Sequence, residues 1–249
     1  MNITGNTILI TGGGTGIGRG LAEALHAAGN TVIIAGRRRA PLEAVVAANP
    51  GMHLATLDID DAAAIRDFAS CVVAEHLGLN VLVDNAGIMR FEQVVTDPDA
   101  LATAEATITT NLLGPIRLTA ALMPHLLAQP KATVVNVSSG LAFVPRADTP
   151  AYSATKAAIH SYSISLRHQL RDTNVQVIEW APPLVATDLT PGQRDNPHAL
   201  PLADFIRESM DLLAANPDAA EILVERVKPQ RTAEATGRFD TVFDLINPR

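Results

Sequence analysis

A glycine turn near the start of the chain limits the possible folds more than any other feature. A short apolar run over 7–11 leads into Gly12-Gly13-Gly14-Thr15-Gly16-Ile17-Gly18, and a helical pattern over 17–28 follows. Glycines at 12, 16 and 18 let the backbone turn sharply between strand and helix, with no side chain to keep a ligand away. The helix start supplies free N–H groups and the positive end of its dipole, which suits a phosphate. The spacing is Gly-x-x-x-Gly-x-Gly and no Gly-Lys-Ser/Thr ending is present, so the turn reads as a nucleotide loop and not as the P-loop of a triphosphatase.

The rest of the chain repeats the strand-then-helix order. Apolar runs at 7–11, 31–35, 53–57, 81–83, 133–137 and 175–180 are rich in Val and Ile with little polar alternation, as in strands covered on both faces. Helical patterns fill the gaps at 17–28, 41–48, 61–76, 98–127 and 150–171; the last two open on Pro98 and Pro150, which a first helical turn tolerates. This order predicts an α/β fold: one domain over 1–249, a Rossmann-like, doubly wound parallel sheet with helices on both faces. Ligands of such sheets bind beyond the carboxyl ends of the strands. Pro, Gly, Asn and Asp accumulate over 181–201, so a substrate loop is expected at about 182–205. Helices are expected at 202–214 and 218–227, and Phe239, Val242, Phe243 and Ile246 make a helical apolar stripe that closes a C-terminal helical segment over about 202–249.

Composition narrows the function classes. Nineteen Lys and Arg against 26 Asp and Glu give a net charge of −7, the wrong sign for a broad nucleic-acid surface. The lone Cys71 forms no internal disulfide and builds no metal site, and is expected to be a small buried apolar residue. No apolar run reaches the roughly 18–20 residues of a membrane span, and the polar residues 1–7 lack the pattern of a signal peptide. The expectation is a cytoplasmic protein with no metal, no nucleic acid and no membrane partner.

The second apolar run ends in Gly36-Arg37-Arg38-Arg39. A site for NAD places an acid here for the ribose 2′-hydroxyl, whereas arginine accommodates a 2′-phosphate through charge-assisted bonds. Three arginines and no acid predict NADP (NADPH), with Arg37 and Arg38 as its contacts and Arg39 as part of a solvated basic turn.

Tyr152 and Lys156 stand at i and i+4, on one face of the helix expected at 150–171. Ser139 follows the run 133–137, thirteen residues before Tyr152, so both groups can reach the same sheet edge. Asn111 falls inside the helix expected at 98–127, where its low propensity suggests a polar task.

With these residues in view the sequence resembles the short-chain dehydrogenase/reductase family over roughly 7–190. The resemblance rests on Thr11-Gly12 through Gly18, Asp84-Asn85-Ala86-Gly87, Asn111, Val137-Ser138-Ser139 and the Tyr-x-x-x-Lys pair. It implies a catalytic set of Asn111, Ser139, Tyr152 and Lys156, the family spacing selecting Ser139 over Ser138. It also implies cofactor contacts from Gly12, Thr15, Gly16, Ile17 and Gly18, from Asp58 and Ile59, from Asn85, Ala86 and Gly87, from Tyr152 and Lys156, and from Val185 and Thr187. Asp58 also reads as a helix-capping acid. Where the family has Pro-Gly, this chain has Pro182-Pro183, a stiffer corner.

The resemblance implies hydride transfer with Tyr152 as proton donor to a carbonyl, Ser139 orienting that oxygen, Lys156 holding the nicotinamide ribose and Asn111 supporting a relay water. A free phenol titrates near 10, so proton exchange at neutral pH calls for about 3 units of depression; the Lys156 cation is the expected source, with the oxidised nicotinamide adding positive charge. Met89, Leu141, Phe143, Val144 and Leu189 are expected to wall an apolar pocket for a ketone, aldehyde or secondary alcohol, with Arg146 and His198 as optional polar contacts. His160 and His168 receive no role. The resemblance implies a homodimer or homotetramer built on the two long helices, and a further strand near the C-terminus; the helical stripe at 239–246 departs from that last feature. An NAD-dependent alcohol dehydrogenase and a non-catalytic NADP-binding regulator are the competing readings.

Overall fold

The computed structural model describes residues 1–248. Seven parallel strands form one sheet: β1 (Thr7–Thr11), β2 (Thr31–Gly36), β3 (His53–Thr56), β4 (Leu79–Asp84), β5 (Ala132–Val137), β6 (Val175–Trp180) and β7 (Glu221–Ile222). Their order is β3-β2-β1-β4-β5-β6-β7. The chain therefore reverses its winding between β1 and β4, which opens a crevice at their carboxyl ends. The helices are α1 (Gly16–Ala27), α2 (Arg39–Ala48), α3 (Ala62–Glu75), α4 (Ala100–Ile108), α5 (Gly114–Ala128), α6 (Pro150–Gln169), α7 (Leu202–Ala215), the single turn α8 (Lys228–Arg231) and α9 (Phe239–Ile246).

The absence of polar alternation in the strands has a direct structural cause. On β1, Ile8 and Ile10 face one core with Leu21 and Leu25 of α1 and Phe205 of α7. Leu9 faces the other, with Ile65 of α3, Leu118, Leu122 and Leu126 of α5 and Leu166 of α6. Each of these side chains contributes roughly 1.5–3 kcal/mol by leaving water, so alternate positions are apolar for different cores.

Four expectations need correction. The helix expected at 98–127 is two helices joined by a π-turn over Thr109–Leu113. Gly114 lies on Ile59, whose Cγ1 would be 2.6 Å from an added Cβ, and the widened turn carries Asn111 to the backbone of Ile88. Pro98 precedes α4 rather than opening it, because the Asp97 side chain accepts the Asp99 N–H at 2.9 Å and turns the chain before the helix begins. The helix expected at 218–227 is instead β7 followed by a 3₁₀ turn, Glu225–Val227. There the backbone pairs with the open edge of β6: Glu179 N–H donates to Ala220 O at 2.9 Å, and Ile222 is buried. The further strand thus lies upstream of the helical stripe, which does form α9 and packs Val242 against Val144 and Ala233. Cys71 is exposed, because the buried stripe of α3 runs through Ile65, Ala69 and Val72 and leaves position 71 outside.

Candidate active site

The glycine turn is tied to the neighbouring strand by one hydroxyl. Thr11 Oγ1 donates to Val83 O at 3.3 Å and accepts the N–H groups of Asn85 and Ala86, each at 3.0 Å. Asn85 returns a bond from Nδ2 to Thr11 O at 2.9 Å. Gly12 has φ +68°, a left-handed conformation, and a Cβ added at Gly18 would stand 2.4 Å from Gly12 O and 2.3 Å from Asn85 Nδ2. These glycines are where backbone meets backbone. At the start of α1 the Thr15 side chain makes no capping bond and the first turn holds no acid. The N–H groups there face a cavity and suit an anion.

Two adjoining cavities run along the crevice. The first, about 440 Å³, is lined by Gly12, Thr15, Arg37, Arg38, Ile59, Ala86 and Gly87, joined by Gly14, Leu42 and Leu57. The second, about 430 Å³, takes Gly12, Thr15, Gly16, Ile17, Gly18, Asn85, Ala86 and Gly87 on one side, and Ser139, Tyr152, Lys156, Val185 and Thr187 on the other. Arg38 borders both. Its neighbour Arg37 pairs with Asp60 at 3.3 Å, while Arg38 forms no ion pair among the described residues. Two of the expected catalytic and cofactor residues do not line either cavity. Asp58 is exposed and its carboxylate accepts the Asp60 N–H at 3.1 Å, so Leu57 and Ile59 form that wall; the cap of α3 is Asp61. Asn111 is buried behind the second cavity. Its Oδ1 accepts the Ile88 N–H at 2.8 Å, and its Nδ2 donates to Ile88 O at 2.8 Å and Thr155 Oγ1 at 3.3 Å.

Pro150 opens α6, and its first turns carry Tyr152 and Lys156 to the floor of the second cavity. Lys156 Nζ donates to Val137 O at 2.8 Å and lies 5.6 Å from the Tyr152 ring centre. The protein by itself does not supply the acidification expected for Tyr152. Burial pushes the phenol up to about 12, with a hydrogen bond from Ser139 opposing the rise. Burial also brings Lys156 down to about 8, opposed by the charge of Glu179. Desolvation is the larger effect, so the protein alone keeps Tyr152 protonated at neutral pH. Ser138 and Ser139 are separated by their partners. Ser138 Oγ donates to Glu179 at 2.5 Å, whereas Ser139 Oγ accepts the Leu141 N–H at 3.1 Å.

The segment expected as a substrate loop is pinned by Gln193, whose Nε2 donates to Val185 O at 2.8 Å and Thr187 Oγ1 at 3.2 Å, while its Oε1 accepts from Thr190 at 2.9 Å. A residue pair 185–200 bridges the two arms of the loop. Pro182 O accepts the Gly140 N–H at 2.8 Å, so the proline corner is fastened to the serine turn. Of the apolar wall expected for a substrate, Met89 and Leu189 border the cavity. Val144 packs instead under α9, Phe143 stands edge-on to His160 with Arg231 over its ring, and Leu141 is also off the lining. Arg146 pairs with Asp148 at 2.7 Å and His198 gives its carbonyl to Arg226, so neither borders the cavity. Sequence reasoning missed Gln193 and Glu179. An acid between Ile178 and Trp180 in the mostly apolar run of β6 was the one signal available.

Comparison with known proteins agrees with this geometry. Residues 6–198 match the family described as short chain dehydrogenase. A Bacillus subtilis (strain 168) relative, described as uncharacterized oxidoreductase DltE, is 40% identical over 99% of this chain and 98% of its own length. Two crystal structures are similar throughout. A short-chain dehydrogenase from Streptomyces avermitilis superposes with a TM-score of 0.81 at 28% identity, over 95% of this chain and 93% of that one. One from Burkholderia cenocepacia J2315, in complex with NADP, gives 0.82 at 26% identity over 100% of both chains.

Proposed function

The chain belongs to the short-chain dehydrogenase family, and from that premise we propose that it is an NADPH-dependent oxidoreductase that reduces a small apolar ketone or aldehyde to an alcohol, reversibly. The observation that carries this reading is the meeting of Tyr152, Lys156 and Ser139 with the glycine turn across one cavity.

The residues fit a dinucleotide. The uncapped start of α1 and its glycine cradle suit a pyrophosphate. Arg38, free of an acidic partner and bordering both cavities, suits a 2′-phosphate, as does the lack of any acid at the end of β2. When bound, NADPH supplies the hydride for the reduction.

The protein's share of the chemistry is proton transfer and orientation. Tyr152, a phenol that burial holds still more firmly in its protonated form, donates its phenolic proton to the carbonyl oxygen as negative charge develops there. Ser139 donates a hydrogen bond to the same oxygen and fixes its position. Lys156, anchored on Val137 O, places a cation beside the phenol and steadies the phenolate left behind. Asn111 holds the Ile88 backbone in place behind the cavity, a positioning task that Thr155 shares. Met89 and Leu189 give the substrate end an apolar face, and the loop fastened by Gln193 closes over it.

The test is a panel of ketones and aldehydes followed by NADPH absorbance, beside Tyr152→Phe. Turnover with the native protein and a loss of at least about a hundredfold in kcat in the variant, with NADPH affinity kept, is the expected result. Substantial activity in Tyr152→Phe overturns the assignment of the acid. NADPH binding with no turnover across the panel favours a binding protein instead.

A further inference from the structure

Tyr152 and Lys156 are the first two members of a longer stripe. His160 stands one helical turn further along α6, so the three residues sit at i, i+4 and i+8 on one face. His160 Nδ1 lies 2.7 Å from Glu179 Oε2, and Ser138 Oγ lies 2.5 Å from Glu179 Oε1. Glu179 is 1% exposed and sits near the carboxyl end of β6, the strand beside the sheet edge, beneath the serine turn. Ser138 donates to one of its oxygens and the His160 ring lies within hydrogen-bond reach of the other, so neither oxygen is left bare. An acid at this depth has no packing value that an apolar residue would not match.

We infer that Glu179 is a positioning residue for the reaction: held by Ser138 and His160 beneath the serine turn, its carboxylate is the buried counter-group of the Lys156 ammonium, which binds the carbonyl of the adjacent Val137. The inference rests on the reading of Tyr152 and Lys156 as the acid and its cation.

The charges around Glu179 leave it free for this task. From α6 it meets His160, and the Lys156 ammonium sits on Val137 O, next in the chain to the Ser138 that binds Glu179. Arg167, also on α6, spends its donors on Val177 O at 3.0 Å and Ala220 O at 2.8 Å. From β7, Glu221 is the register partner of Glu179, but its carboxylate is taken by Arg231 at 3.0 Å and 3.3 Å. Burial works against the Lys156 ammonium, and Glu179 is the acid whose charge counters it. Ser138 completes the arrangement: bonded to Glu179, it is withdrawn from the substrate oxygen, which leaves that oxygen to Ser139.

The experiment replaces charge while keeping shape. Glu179→Gln retains an acceptor for Ser138 and a polar partner for His160. Two readouts follow it across pH 6–10. One is the alkaline limb of kcat. The other is the acetic anhydride reactivity of Lys156, scored by peptide mass spectrometry, which needs no turnover. The expected result is a shift of both midpoints to lower pH by about 1 unit or more, with NADPH affinity at pH 6.5 within twofold of the native protein. An unmoved Lys156 midpoint in folded Glu179→Gln overturns the inference.

Should that variant fail to fold, His160 offers a route at a half-buried rim. His160→Lys sets a permanent cation against Glu179 and is expected to lower the Lys156 midpoint. His160→Gln leaves the carboxylate uncompensated and is expected to keep it. Equal midpoints in the two variants overturn the inference. Native protein without turnover, but with a Lys156 midpoint that responds to Glu179→Gln, refutes the proposed activity and leaves the charge coupling standing.

Discussion

Asp84, at the end of β4, is the most informative place to perturb the scaffold. Its side chain is buried, Oδ2 accepts from Thr119 Oγ1 at 2.9 Å, and Oδ1 has no partner. Its register partner on β5 is Asn136, whose Oδ1 is also without a partner while its Nδ2 donates to Ser163 Oγ at 2.9 Å. Two buried acceptors side by side call for a hydrogen, and a protonated Asp84 carries one. Burial accordingly raises the carboxyl to about 8. A group raised in the folded state stabilises it below the unfolded pKa, near 3.9, and that stabilisation is lost as pH climbs through 8. At pH 7 the unfolded chain gains from about 3 units of ionisation that the folded chain forgoes, at most about 4 kcal/mol. Asp84→Asn keeps an acceptor for Thr119, offers N–H to Asn136 and cannot ionise in either state. The variant is therefore expected to be more stable than the native protein by about 1–4 kcal/mol at pH 7, or roughly 2–4 °C in Tm per kcal/mol. The advantage shrinks toward zero near pH 4. Urea unfolding of both proteins at pH 5, 6, 7 and 8 measures it. Parallel stability curves for the two proteins, whatever their offset, refute a neutral Asp84.

Two further perturbations probe the dinucleotide site. Gly18→Ala drives a methyl group into Gly12 O and Asn85 Nδ2, neither of which can retreat without moving the turn. It is expected to weaken NADPH binding at least tenfold and to lower stability by about 1–3 kcal/mol, read by fluorescence titration and thermal unfolding; unchanged affinity would show that the cofactor does not use this turn. Arg38→Ala is expected to raise the NADPH Kd about tenfold or more, as loss of a charge-assisted bond of about 1.5–3 kcal/mol implies, while NADH binding stays within twofold. Equal losses for both coenzymes would refute a 2′-phosphate contact.

The parts of this molecule that were legible in the sequence are those where one local rule acts alone. The strand run 175–180 matches β6 residue for residue, because Val175 and Val177 serve one apolar core while Ile178 and Trp180 serve the other. The stripe at 239–246 matches α9 for the same kind of reason, its four apolar positions sharing one helical face. Where tertiary contact competes with local preference, the pattern misled. Residues 221–222 follow a helical spacing, yet the unpaired edge of β6 captures them as a strand. Residues 109–113 continue a helical composition, yet Gly114 must clear Ile59 and the turn widens.

The candidate site divides in the same way. The glycine turn, Arg38 and the tyrosine–lysine pair announce themselves through residue type and spacing, and the fold brings them to one crevice. The protonation of that pair was not readable. Spacing shows a cation near a phenol, which argues for a lowered phenol pKa. Only the fold shows that both are desolvated, and desolvation moves each toward its neutral form. Glu179 was hidden for a related reason. In the sequence it is a single acid at the end of an apolar strand. Its consequence depends on His160 and Ser138, 19 and 41 residues away, arriving from two other elements to bind its two oxygens. A positioning role of that kind is a property of three-dimensional neighbours, so charge-conserving and charge-removing variants at 160 and 179 can reveal it where residue patterns cannot.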